Sequence, residues 1–157
     1  MRSGDNSTGW FRRVFRGRKS APLDGDRGDL VVVAASYDDA EGCGAALERA
    51  ASVEPVWIAD AEAVLRHHLR LPASAVNQAV SIAAQEGYGP ENADPVAADD
   101  RDPGAPIELV LRRVQILDAL HCSQERSRMA GLAQRLGGHL AGWDALQPAR
   151  NADPAGD

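Results

Sequence analysis

Three places in the chain bring together residue types that bind metals, carry nucleophiles or cradle phosphates: His67-His68, His121-Cys122 and Gly42-Cys43-Gly44. Each fails on geometry. A zinc ion needs three or four ligands converging on one point. Neighbouring residues of a strand point to opposite faces, so His67 and His68 cannot share an ion, and one faces the core while the other faces solvent. His121 and Cys122 belong to a helical stretch, where neighbours diverge by about 100°. Cys122 as a nucleophile would need a base and an orienting group within hydrogen-bond reach. No third group is indicated, so it reads as a small buried apolar residue. Around Gly42 and Gly44 there is neither a G-x-G-x-x-G pattern nor a Walker lysine, and the glycines read as close-packing positions of a helix. The expectation is no catalytic residue, no metal and no cofactor.

The decamer Trp10, Phe11, Arg12, Arg13, Val14, Phe15, Arg16, Gly17, Arg18, Lys19 is the most unusual local feature. It holds five of seventeen cations and three of seven aromatic residues, with no acid. Drawn as a helix from Ser7 or Thr8, it puts Trp10, Phe11, Val14 and Phe15 on one side and Arg12, Arg13 and Arg16 on the other. This suits contact with an anionic partner or a membrane surface. At about 1 kcal/mol per cation near an anionic leaflet, five cations give roughly 5 kcal/mol at most, which is weak, peripheral binding. The alternative is a solvated basic head.

Periodicity supplies the elements that must position these residues. Residues 1–29 are polar and aperiodic outside the decamer and are expected to be a disordered basic head, with order starting at Leu30. "LVVVAAS" (Leu30 to Ser36) is a strand, Asp38 to Ala51 a helix with Asp38 and Asp39 in its first turn, and "EPVWIA" (Glu54 to Ala59) a second strand. Ala63 to Leu71 alternates, with Leu65, His67, Leu69 and Leu71 on one face and Val64, Arg66, His68 and Arg70 on the other. A helix from Ala73 ends at Gly87, with Tyr88 just past its cap. A weak strand and an acidic loop follow, then the strand Ile107 to Ile116. The helix Asp118 to Leu136, with an apolar stripe of Leu120, Met129, Leu132 and Leu136, ends at Gly137-Gly138. The last strand carries Gly142 and Trp143, the tryptophan as a core plug. From residue 63 the order is β-α-β-β-α-β, which predicts an α+β fold: a ferredoxin-like βαββαβ sandwich over residues 63–147, preceded by a β-α-β extension at 30–62 and followed by a disordered tail at 148–157.

Composition narrows the function classes. In 157 residues no stretch approaches 18 consecutive apolar residues, so no membrane-spanning segment is expected. Two cysteines fit no metal or disulfide framework, and the N-terminus has no apolar signal core, which together imply a cytoplasmic protein. Charge is divided: residues 1–29 carry seven Lys/Arg against four Asp (+3), and residues 30–157 ten Arg against nineteen acids (−9), giving the net −6. An acidic body repels phosphate backbones, so the folded part is not expected to bind nucleic acid. RNA-recognition domains share the βαββαβ topology but stack bases on aromatics of a central strand. "IELVLRRVQI" has none.

Residues 63–146 resemble the regulator of ribonuclease activity B family, bacterial protein inhibitors of ribonuclease E. Four collinear stretches carry the resemblance: "RHHL" with His67 and His68, "EGYGPENADP" with Gly87 and Tyr88, "IELVLRRVQILD", and "LAQRLGGHLAGW" with Gly137, Gly138, Gly142 and Trp143. Relatives usually have an aromatic-acid pair before the Gly-Trp, where this chain has Leu140 and Ala141, and Arg112 and Arg113 make its strand more basic. The resemblance implies a non-enzymatic regulator that binds and inhibits or modulates a ribonuclease E-type endonuclease by protein contact, with the signature residues in structural roles. The alternative is a small-ligand-sensing or general protein-interaction module of the same fold.

Overall fold

The computed structural model describes residues 22–91 and 105–150. Its elements are β1 (Leu30–Ser36), α1 (Cys43–Ala50), β2 (Glu62–Pro72), a 3-10 turn (Ala73–Ala75) running into α2 (Val76–Ala84), β3 (Gly89–Pro90), β4 (Pro106–Ile116), α3 (Ala119–Arg135) and β5 (His139–Pro148). The fold is α+β. One five-stranded sheet has the order β1-β5-β2-β4-β3, and every pairing is antiparallel.

The alternation in β2 explains how the layers form. Ala63, Leu65, His67, Leu69 and Leu71 are all fully buried on one face of the sheet. Two apolar clusters grow from that face. Leu69 and Leu71 pack with Val76, Ala79 and Ala83 of α2 and Met129, Leu132 and Ala133 of α3. Ala63 and Leu65 pack with Cys43, Ala46, Leu47 and Ala50 of α1, Cys122 of α3 and Trp143. All three helices therefore lie on the His67 side. At about 25 cal/mol per Å² of buried apolar surface, this face supplies the main stabilisation of the fold.

Both long helical segments stop in the same way. Gly87 and Gly137 take φ of +83° and +86°, a region that glycine enters without strain. The Tyr88 amide then reaches back to Ala83 O, and the Gly138 amide to Ala133 O, satisfying carbonyls that the helix end would orphan. Gly138 also lies so close to the Arg70 carbonyl that a side chain there would overlap it.

Several expectations need correction. Residues 54–59 form no strand, so the 30–62 extension is β-α followed by a loop. Pro55 has no amide donor, and the Gln147 side chain takes the place of a neighbouring strand: it accepts from Ile58 N and donates to Ile58 O, both at 2.9 Å. The first helix begins at Cys43 because the Asp38 carboxylate accepts from Ala40 N and closes a local turn instead of a helical one. Leu120 is exposed; the buried stripe of α3 runs Cys122, Glu125, Met129, Leu132 and Ala133. Order begins before Leu30: Leu23 N donates to Glu62 Oε1, and Arg112 binds the Gly25 carbonyl and Asp26, seating this segment over Val64 on the helix-free face. At the other end, β5 runs to Pro148. The extension joins the main sheet as its edge strand, β1 beside β5. The decamer Trp10 to Lys19, residues 92–104 with most of the acidic loop "AADDRDPGAP", and residues 151–157 lie outside the described residues.

Candidate functional site

Two polar clusters face each other across the middle of the sheet, hung from the adjacent residues His67 and His68. The inner one lies on the helix side. His67 is fully buried, and its ring meets Tyr88 with centroids 5.6 Å apart. The Tyr88 hydroxyl sits 3.5 Å from His67 Nε2 and donates to Glu125 Oε1 at 2.8 Å. Arg113 stands over the Tyr88 ring at 4.5 Å from its centroid, with Nη2 3.4 Å from the same carboxylate. Arg128 approaches Glu125 from the rim at 3.4 Å. Burial pulls the His67 pKa down to about 3, helped by the nearby His68 and Arg113 charges. Burial, then the bond to Glu125, pushes the Tyr88 hydroxyl well above the usual phenol range. A neutral imidazole with so low a pKa is a poor acid or base near neutral pH, so this cluster ties α3 to the sheet.

The outer cluster lies on the helix-free face. Its centre is Asp144, a buried carboxylate gripped by Arg66 through Nε and Nη2 at 2.7 and 2.6 Å. Arg66 also donates to Glu91 at 2.7 Å. The Tyr37 hydroxyl donates to Asp144 Oδ2 at 3.3 Å, and His68 Nε2 lies 3.3 Å from the same oxygen, poorly aligned for a hydrogen bond. Burial alone would raise the Asp144 pKa; His68 and Arg66 outweigh it and hold the carboxyl below its ordinary value. In return, Asp144 holds the His68 pKa above the ordinary histidine value, against partial burial and Arg66. His68 is thus largely covered by its neighbours, where the strand pattern predicts a solvent-facing ring.

Gly142 explains how Tyr37 reaches this face. A Cβ at Gly142 would overlap the Tyr37 ring and come within 2.7 Å of the Ser36 carbonyl, so the missing side chain is what lets the ring lie on β5. Its neighbour Trp143 points the other way, fully buried in the second apolar cluster. Gly87, Gly137 and Gly138 act at helix ends, and Tyr88 in the inner cluster. Cys43 and Cys122, remote in sequence, are free thiols that meet in the second apolar cluster; burial, then the hydrogen bond with Cys43, which favours the protonated thiol, pushes the Cys122 thiol up. Cys122 is correspondingly inert.

Sequence reasoning missed Tyr37, Arg66, Glu91, Glu125 and Asp144. Glu125 carried a signal, since it falls on the helical stripe between Cys122 and Met129. Asp144 and Tyr37 meet only through the pairing of β1 with β5, which no local pattern announces.

Among the described residues, no group of three His, Cys, Asp or Glu side chains is placed to hold a metal ion, and no helix is long and apolar enough to cross a membrane. The enclosed cleft between α2 and α3, about 180 Å³, has an apolar floor of Ile82, Ala83, Met129 and Leu132. Ligand pockets are commonly about 300 Å³ or larger. A second depression, about 670 Å³, is open to solvent and lined by α3 alone. No protein-family model, curated protein or solved structure matches the chain.

Proposed function

We propose that this chain is a ferredoxin-like regulatory domain that acts by protein contact on an RNA-degrading endonuclease of the ribonuclease E type, in a cytoplasmic setting. The target comes from the resemblance of residues 63–146 to the regulator of ribonuclease activity B family. Two features support the fold half of the reading: β2 to β5 follow the order β-α-β-β-α-β, and their places in the sheet, β5-β2-β4-β3, are those of a ferredoxin-like unit. Fold alone does not fix function.

The observation that carries contact over small-ligand sensing is the helix-free face. It is a broad surface whose Arg66, His68 and Asp144 are already paired within the chain, and it presents an exposed, seated Tyr37. A rigid exposed aromatic ringed by polar groups is the composition of a protein interface. The partly enclosed cleft between α2 and α3 lies below the usual size of a ligand pocket.

The test is cleavage of a labelled RNA by ribonuclease E at fixed concentration while this protein is titrated, with a control lacking the nuclease. Cleavage should slow with added protein, and the control should show none. Unchanged cleavage at large molar excess would overturn the reading for this target. A gel shift of free RNA would replace contact with substrate sequestration.

A further inference from the structure

The two clusters repeat one arrangement on opposite faces of β2. His67 and His68 each meet a tyrosine at a centroid distance of 5.6 Å. Each tyrosine hydroxyl donates to a carboxylate, Tyr88 to Glu125 and Tyr37 to Asp144. Each carboxylate is approached by an arginine of the sheet, Arg113 inside and Arg66 outside. The arrangements part at the ring face. Inside, the Arg113 guanidinium covers Tyr88, which is 2% exposed. Outside, Tyr37 is 58% exposed, and among the described residues no cation lies over its ring.

Tyr37 is nevertheless pre-organised. Gly142 beneath it, Asp144 at its hydroxyl and His68 at its side fix the ring before any partner arrives. One exposed carboxylate stands close by. Glu108 lies 3.7 Å from His68 with its side chain 52% exposed, and Arg70, opposite it in the ladder, makes no ion pair with it. Asp39, two residues past Tyr37, is 98% exposed and pairs loosely with Arg126 of α3 at 3.8 Å.

We infer that Tyr37, with Glu108, is the docking point for an arginine side chain carried on an exposed segment of a protein partner. The chain's own Arg113, stacked on Tyr88 and paired with Glu125, shows the chemistry that would be completed. Arginine fits better than lysine because a planar guanidinium stacks on the ring while its remaining N–H groups reach a carboxylate. The local charge favours a cation beside Glu108, whose carboxylate is half-exposed, while Arg66 is already engaged by Asp144 and Glu91. The inference deepens the proposed function by naming where a partner sits, and rests on that reading only for the partner's identity.

The experiment uses the full chain and a short fluorescent peptide rich in arginine, with lysine-rich and acidic peptides of equal length, read by anisotropy at physiological salt. The arginine peptide should bind more tightly than the lysine peptide, and the acidic one should not bind. Tyr37→Ala should weaken the arginine peptide roughly tenfold, the scale of a desolvated cation–π contact. Tyr37→Phe should keep most of the affinity, and Asp60→Asn, an exposed acid before β2, should change nothing. Should Tyr37→Ala fail to fold, Glu108→Gln is read instead, with a severalfold loss expected. Equal affinity in wild type and Tyr37→Ala, or no preference for arginine over lysine, would overturn the inference. So would a severalfold gain when Arg12, Arg13, Arg16 and Arg18 are replaced together by glutamine, since the chain's own head would then be the occupant. The peptide assay contains no nuclease, so its failure and failure of the cleavage titration are separate results.

Discussion

The inner and outer clusters use the same residue types, tyrosine, histidine, carboxylate and arginine, and differ in solvent. Inside, burial keeps His67 neutral, and Glu125 finds its partners in Tyr88, Arg113 and Arg128. Outside, Asp144 is buried yet tied to an arginine that still touches water, and His68 gains rather than loses proton affinity. One side chain set thus serves as core glue on one face and as a charged, pre-arranged surface on the other. The difference is made by which face the helices cover.

The sharpest way to break this comparison is to remove each tyrosine. Tyr88→Ala should cost about 4 kcal/mol in chemical denaturation, because it opens a cavity and strips Glu125 of a donor. Tyr37→Ala should cost about 1 kcal/mol or less, as expected of a half-exposed ring. Equal losses would mean that the two faces are not different in kind.

Next in size is the outer carboxylate. Asp144→Ala should cost about 3 kcal/mol, since it leaves the partly covered Arg66 with Glu91 alone. Adding Arg66→Met should recover most of the loss if the penalty is the orphaned charge, and a double-mutant cycle measures this directly. A loss unchanged in the double variant would assign it to packing.

The effects that accumulate most gradually, unit by unit, are in pH. The His67 pKa lies far below the ordinary 6.5, so below pH 6.5 the unfolded chain takes up a proton that the folded chain refuses. Stability should fall on this account by up to about 1.4 kcal/mol per unit as pH drops from 6.5 toward 3. The His68 pKa is raised, so its contribution is complete below the unfolded value and fades as pH climbs through the folded one. Denaturation midpoints across pH should show His67→Leu flattening the acid limb and His68→Gln flattening the slope above 6.5. The same change from both variants would remove the distinction between the faces.

Much of the fold was legible because period-2 and period-3.6 patterns are local. The alternation of residues 63–71 placed His67 and His68 on opposite faces, and the glycines at 87 and 137 marked both helix ends. "EPVWIA" misled because its composition suits a strand while its hydrogen bonds run from Trp57 N to Ala50 O at the end of α1 and from Ile58 to a glutamine side chain 89 residues away. Asp38 suits a helix start, yet it bonds its own loop. The outer cluster was hidden for a different reason. Tyr37 and Asp144 are 107 residues apart and meet only once β1 takes its place beside β5.

Hanging both clusters from consecutive residues of the central strand also makes them a lock on strand register. A slip of one residue in β2 would turn Arg66, His68 and Arg70 under the helices and carry Leu65, Leu69 and Leu71 to the open face. Two guanidinium groups would then sit in an apolar layer whose carboxylate, Glu125, is already held by Arg113 and Arg128, and Tyr88 and Tyr37 would each face the wrong neighbour. Misaligned pairings of β2 with β4 or β5 are therefore penalised twice, by lost burial and by stranded charge, so the polar pair helps to select a single sheet from the near-equivalent ones that short alternating strands allow.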